Sequence, residues 1–325
     1  MPARTLLLTL LVTLAACCQL APAVASAQSY PSRPIRWIVP FPAGGPLDVV
    51  ARLVARPLSE QFGQPVVIDN RPGANGILGT ELAARAPSDG YTLVTGAPGT
   101  IAINPALYKM AFDPVKDLVA ITQFVSGSFV LVVGNAVPAR TLAEFVAFAR
   151  QRPGALNYAS YGSGSSPHIA MEMLKRAAGI DLVHVPYKGS PAAMADMASG
   201  QVAAMFETPI SAAPQARAGR LRALAVSVRE RHPMLPDVAP VSDAYPGFYV
   251  DGWQGVFAPA GTPRELVTLL NREMVRIVRS TEVSRRFTDL ASEPVGNTSE
   301  EFAAKVASDA ITWSRVIREV GIKAD

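Results

Sequence analysis

The chain has 325 residues, 49% of them apolar, and 30 Lys+Arg face 26 Asp+Glu. That length suits two domains of about 100 to 150 residues with ample apolar material for two cores. The nearly balanced charge, with no dense Lys/Arg stripe and no aromatic-interleaved basic patch, argues against nucleic acid as a partner.

The N-terminus carries a positive Arg4, a short apolar run from Thr5 to Ala16 and a small-residue stretch ending Ala25-Ser26-Ala27. This pattern predicts a secretory signal over residues 1–27, cleaved before Gln28. The apolar run is too short to span a bilayer, so the mature protein is predicted to be soluble and outside the cytoplasm. Leu14-Ala15-Ala16-Cys17 offers the alternative of a lipobox, which would leave Cys17 lipid-anchored. Both cysteines, Cys17 and Cys18, lie in this leader, so a chain cleaved at Ala27 has neither disulfides nor thiolate chemistry.

Past the leader, strands alternate with helices. Ile35–Val39 reads as a strand, Asp48–Phe62 as a helix, Pro65–Asp69 as a strand, Ile77–Ala86 as a helix and Thr92–Thr95 as a strand. A second series opens with the strand Phe129–Val133. It continues through helix Leu142–Arg150, strand Leu156–Ala159, helix Ser166–Ala178, strand Leu182–Val185, helix Pro191–Ser199, and strands Val202–Phe206 and Leu224–Val228. Alternation of this kind implies parallel sheets with helices on their faces. Asp251–Pro259 reads as an extended return, Thr262-Pro263-Arg264-Glu265 as a capped helix start, and Ser299–Val320 as a last helix able to strap two lobes. The predicted lobes are 28–125 plus 252–297 and 126–251, with 298–325 as the strap.

In open sheets, ligands bind beyond the carboxyl ends of the strands. Here those ends carry Phe41-Pro42-Ala43-Gly44-Gly45, Gly96-Ala97-Pro98-Gly99-Thr100, Tyr161-Gly162-Ser163-Gly164-Ser165-Ser166, Pro186-Tyr187-Lys188-Gly189-Ser190 and Glu207-Thr208. Small residues allow close backbone approach, and hydroxyls and amides at helix N-termini bind a carboxylate without a countercharge. The Gly44-Gly45 turn reads as an anion cradle, with Asp48 capping its orphan amides and the helix dipole positive end behind it. No phosphate-loop lysine follows, so the expected guest is a carboxylate, and a side chain at Gly44 or Gly45 is expected to occupy its space.

These motifs bear a specific resemblance. Tyr30-Pro31-Ser32-Arg33-Pro34-Ile35, Val39-Pro40-Phe41-Pro42-Ala43-Gly44-Gly45-Pro46-Leu47-Asp48, Asp69-Asn70-Arg71-Pro72-Gly73-Ala74, Asp89-Gly90-Tyr91-Thr92-Leu93, Asn104-Pro105-Ala106-Leu107-Tyr108, Tyr161-Gly162-Ser163-Gly164-Ser165, Val185-Pro186-Tyr187-Lys188-Gly189 and Phe257-Ala258-Pro259-Ala260-Gly261-Thr262-Pro263 run in order along the mature chain. The chain resembles the Bug-type periplasmic solute receptors of tripartite tricarboxylate transporters. The resemblance implies an α/β Venus flytrap of the type II-like periplasmic binding protein class, with a hinge and a ligand cleft between two lobes. It also implies a small carboxylate ligand (a di- or tricarboxylate, an amino acid or an aromatic acid), membrane transporter subunits as partners, a monomer, and no cofactor. One ligand carboxylate would be held by the Phe41–Gly45 turn and the serine-glycine loop, partly through water. Gly189-Ser190 and Glu207 stand where the family has a glycine-threonine turn and an aspartate, at the variable end of the ligand.

The candidate ligand contacts are thus Phe41, Ala43, Gly44, Gly45, Asp48, Pro98, Thr100, Ser128, Gly162, Ser163, Ser165, His168, Lys188, Gly189 and Glu207. His168 stands at a helix start, His184 reads as a satisfied core histidine, His232 as solvent-exposed, and Trp253 as packing at the hinge. None of the histidines has metal-ligand spacing, so no metal is expected. A secreted serine hydrolase is the rival reading, with Ser163, Ser165 or Ser166 as nucleophile and His168 as base. The Gly-x-Ser-x-Gly elbow is absent and the last histidine, His232, is in a proline-flanked loop. A binding protein that signals to a membrane sensor is the other alternative.

Overall fold

Short apolar strands separated by proline-started helices assemble into two mixed sheets. The structure, a computed structural model, describes residues 30–322. The leader, its cleavage site and the lipobox lie outside the described residues, and every described strand and helix belongs to the unit that starts at Arg33. The strands are β1 Ile35–Val39, β2 Val66–Asn70, β3 Thr92–Gly96, β4 Leu118–Ser128, β5 Val130–Gly134, β6 Asn157–Ser160, β7 Val183–Pro186, β8 Ala204–Glu207, β9 Leu221–Val226, β10 Asp251–Pro259 and β11 Glu293–Pro294. The helices are α1 Pro46–Phe62, α2 Ile77–Ala84, α3 Asn104–Leu107, α4 Leu142–Arg150, α5 Ser166–Ala178, α6 Ser190–Ala198, α7 Pro209–Arg217, α8 Arg264–Val278, α9 Thr281–Asp289 and α10 Ser299–Val320. A π-helical turn, Gly99–Ile103, leads into α3.

One sheet has the order β11-β4-β10-β3-β1-β2 and the other β7-β6-β8-β5-β9. The expectation of wholly parallel sheets is corrected: β1 pairs parallel with β2 and β3, but β10 lies antiparallel between β3 and β4. In the second sheet β6 pairs parallel with β7 and β8, whereas β5 is antiparallel to both β8 and β9. The reason is the crossover. β4 runs out of the first sheet and becomes β5 after one residue, Phe129, so β5 enters the second sheet from the opposite end to the strands built by strand-helix units. β10 makes the return journey beside β4. Sequence reading found β10 but not β4, because β4 is buried along most of its length and shows no alternation.

The crossing is fastened by Ser227, which is fully buried. Its Oγ accepts from the Phe129 N–H at 2.8 Å and donates to the Val250 carbonyl, while its own N–H donates to the Phe129 carbonyl at 2.8 Å. The last helix serves both cores. α10 opens with a capping box, Thr298 Oγ1 accepting from the Glu301 N–H and the Glu301 carboxylate from the Thr298 N–H. It contributes Phe302 and Val306 to the core around Ile38, Val94 and Phe257, and Trp313 and Ile317 to the core around Leu131, Phe145 and Phe206. The helix start expected at Thr262 lacks a side-chain cap: Thr262 Oγ1 donates backward to the Pro259 carbonyl at 2.7 Å, and α8 begins after Pro263.

Candidate functional site

The Phe41–Gly45 turn is built from local chemistry. Gly44 takes φ +78°, open to glycine, and the Gly45 N–H closes the turn onto the Pro42 carbonyl at 3.3 Å. Pro46 starts α1 at a position where its missing N–H costs nothing. Asp48 is 3% exposed and accepts from the Gly44 N–H at 2.9 Å, from Arg52 Nε at 2.9 Å and from Asn70 Nδ2 at 2.9 Å. Burial by itself pushes the Asp48 carboxyl up, but those donors together hold it below the usual carboxylate range. The Asn70 side-chain amide also donates to the Phe41 carbonyl at 3.0 Å. The first anion at this helix start is therefore the protein's own, and it shapes the turn.

Between the two sheets lies a cavity with an open mouth. Phe41, Leu47 and Asn75 line it from one side, Tyr161, Ser165, Ser166 and Thr208 from the other, and Ser126–Phe129 with Gly252–Gln254 form its hinge end. The Phe41 and Tyr161 rings meet edge to face with centroids 6.5 Å apart. The two halves touch elsewhere too: Tyr108 Oη donates to the Ser163 carbonyl at 2.7 Å, and a Cβ at Gly189 would stand 2.9 Å from Pro42 Cδ. Asn75 Oδ1, Ser128 Oγ, Ser165 Oγ and Gln254 Oε1 are buried atoms with no hydrogen-bond partner among the described residues, and all four residues line this one cavity. A buried polar atom left unpaired costs about 1 to 3 kcal/mol, and the four residues that carry one share this cavity.

Of the candidates read from sequence, Phe41, Pro98, Thr100, Ser128 and Ser165 line the cavity. The others lie around it rather than in its lining. Ala43 and Gly44 are exposed, and a Cβ on Gly44 would meet nothing within 4 Å. Gly45 and Gly189 pack against the facing half, Gly45 near Pro191 and Gly189 near Pro42. Lys188 is exposed. Gly162 and Ser163 shape the serine-glycine loop, where the Gly162 N–H donates to Ser160 Oγ at 3.0 Å. His168, 4% exposed, accepts from the Gly164 N–H at Nδ1, 3.0 Å away, and stacks on His184 with centroids 4.1 Å apart. His184 Nε2 and Ser160 Oγ are hydrogen-bonded at 2.7 Å, with the donor set by the histidine tautomer. His232 is half-buried rather than exposed, its Nδ1 accepting from the Met234 N–H. Trp253 packs at 5.0 Å and 90° to Phe302 and donates its indole N–H to Asp309 at 2.7 Å.

Asn75, Tyr161, Thr208 and Gln254 are among the lining residues absent from the candidate contacts, although Tyr161 and Thr208 stood in the strand-end loops read from sequence. Asn75 carried one usable signal: it precedes Gly76 and takes φ +50°, the left-handed region that asparagine tolerates.

Glu207 is fully buried and faces Tyr161, Ser190 and Thr208 instead of the cavity. Tyr161 Oη and Ser190 Oγ donate to it, the latter at 2.7 Å, as do the Thr208 N–H at 2.7 Å and Thr208 Oγ1 at 3.1 Å. Burial pushes the Glu207 carboxyl up, and these donors offset that only in part. A native pKa above the unfolded 4.5 means stability that is full below 4.5 and lost as pH rises through the native value. Glu207→Gln cannot ionise, so its melting temperature relative to the wild type is expected to rise as pH goes from 4.5 through the native value and to level off above it in thermal unfolding scans. A relative value that falls with rising pH would show that the ionised form is the stabilised one.

A family model for the tripartite tricarboxylate transporter family receptor matches residues 50–322. BugT of Bordetella pertussis is 35% identical over 301 residues, covering 92% of this chain and 92% of that protein. A solved R. palustris protein with adipate is 34% identical, with a TM-score of 0.88 over 91% of this chain and 100% of that one. MatC from Rhodopseudomonas palustris, with bound malate, is 33% identical, with a TM-score of 0.85 over 89% of this chain and 100% of its own. The two sheets, the cavity between them and the span of these matches agree: the chain belongs to the Bug-type receptors of tripartite tricarboxylate transporters, a family of periplasmic solute-binding proteins.

Proposed function

We propose that this protein binds one small carboxylate per chain in the cavity between its sheets and delivers it, from the periplasm and as a monomer, to the membrane subunits of a tripartite transporter. The observation that carries this reading is that the four residues with unpartnered buried polar atoms all line one cavity next to the N-terminus of α5. The relatives solved with adipate and malate supply the ligand class. Hinge motion would occur where β4 meets β5 and where the chain returns at β10, the cleft closing over the ligand. No turnover is expected. Ser165 has no base hydrogen-bonded to it, and the nearby His168 already uses Nδ1 to hold the Gly164 amide.

A thermal-shift screen over monocarboxylates, dicarboxylates, tricarboxylates, amino acids, aromatic acids and neutral sugars tests the reading. At least one acid should raise the melting temperature, in proportion to the logarithm of its excess over Kd. Stabilisation by a neutral sugar and by no acid would overturn it.

A further inference from the structure

β4 and β10 run side by side between the two sheets. Their register, Asp251 opposite Ser128, Gly252 opposite Gly127, Trp253 opposite Ser126 and Gln254 opposite Val125, is regular up to a bulge after Gln254. Alternation along paired strands therefore puts Gly252, Gln254, Val125 and Gly127 on one face and Trp253 with Ser126 on the other. Trp253 turns to α10, where it meets Phe302 edge to face at 5.0 Å and donates to Asp309 at 2.7 Å. The opposite face is the hinge end of the cavity, which all four of its residues line.

Of those four, only Gln254 carries a polar side chain. It is 7% exposed, and its Oε1 has no hydrogen-bond partner among the described residues. The glycines of this face decide what stands around the amide. A Cβ at Gly127 would meet nothing within 4 Å, so one flank is open, whereas a Cβ at Gly252 would stand 3.1 Å from the Phe129 ring, which walls the other. An amide oxygen accepts hydrogen bonds and cannot donate them. A ligand hydroxyl or amine therefore satisfies it, a methylene leaves it unpaired, and a carboxylate oxygen is repelled. A site built to hydrogen-bond one ligand group rejects the analogue lacking that group more strongly than an apolar pocket rejects a change of size.

We propose that Gln254 is a specificity residue of the cavity: the ligand is an acid whose body carries a hydroxyl or amino donor, and Gln254 Oε1 accepts from that donor at the hinge end. The inference rests on the carboxylate reading above and narrows it to hydroxy and amino acids over their unsubstituted counterparts.

Titration calorimetry at neutral pH tests it, with pairs of acids that differ by the donor: succinate against malate and against aspartate, glutarate against glutamate, and benzoate against 4-hydroxybenzoate. In one pair or more, the wild-type protein should bind the donor-bearing acid tighter by about ten-fold or more. Gln254→Leu should shrink that preference to within about two-fold while the unsubstituted acid binds as well as before or better, because no unpaired oxygen faces its methylenes. Where Gln254→Leu fails to fold, Gln254→Met, an unbranched chain without the amide, gives the same readout. Equal affinities within every pair in the wild type, or a preference that these variants leave unchanged, overturn the assignment of Gln254 and leave the carboxylate reading standing. A wild-type protein that binds none of these acids overturns the assignment too, and the thermal-shift screen then decides separately whether the carboxylate reading falls with it.

Discussion

Gly189→Val is expected to weaken ligand binding by about 100-fold or more, equivalent to about 2.7 kcal/mol, with the fold intact. Gly189 sits at the start of α6 in extended backbone, so a side chain brings no torsional strain of the left-handed kind. Its Cβ would stand 2.9 Å from Pro42 Cδ and 3.7 Å from Phe41 Cδ1, both on the facing half. A pyrrolidine ring cannot swing aside as a flexible chain does, so the cleft must open to relieve the contact, and neither sheet needs to rearrange. Affinity then falls by the fraction of molecules that remain closed. Calorimetry gives the loss, circular dichroism the fold, and small-angle scattering the expected larger radius of gyration at saturating ligand. Wild-type affinity in a folded Gly189→Val protein would remove closure from the binding step. Gly44→Val is the comparison for backbone strain alone, since it meets no atom of the facing half while the φ of +78° costs about 1 to 2 kcal/mol of stability.

Phe302→Ala should have the largest effect on stability, about 3 to 5 kcal/mol, which for a chain of this size lowers the melting temperature by roughly 10 °C. The Phe302 ring is fully buried, with its centroid 5.0 Å from both Trp253 and Phe257. β10 carries Gly255 opposite this ring, where any Cβ would overlap Phe302 and stand 2.8 Å from the Thr122 carbonyl. The fit of ring into glycine gap seats α10 on the strand that returns at the hinge. Ion pairs extend the grip: Lys305 Nζ bonds Asp251 at 3.0 Å and Asp309 at 2.7 Å, and Asp309 accepts from Trp253. A loss below about 1 kcal/mol by denaturant titration would mean that α10 is peripheral, despite placing Trp313 and Ile317 in the second core.

Much of the element order was legible without coordinates because it rests on local chemistry. Helix starts follow from Pro46, Pro167, Pro191 and Pro209 beside extended glycine, serine or threonine caps, and α5, β10 and α10 fall on the residues read from sequence. The Bug motifs named the family, and the serine-glycine loop named Ser165. Those signals span a few residues each.

Long-range packing decided which of those residues line the cavity. Gly44 and Asp48 look like an empty cradle when read in order, yet Asn70, from the neighbouring strand, joins Arg52 in turning Asp48 onto the Gly44 amide. Glu207 ends its strand at the cleft, but Tyr161 and Ser190 reach it from 46 and 17 residues away and draw its carboxylate off the cavity. Asn75, Tyr161, Thr208 and Gln254 come together only when β10 returns between β3 and β4 and the halves meet. Local turns and caps could be read from the order of residues alone, because they need only neighbours along the chain. The identity of the groups left without partners is a property of long-range pairing, since a donor or acceptor is free only after every distant group that could satisfy it has been placed.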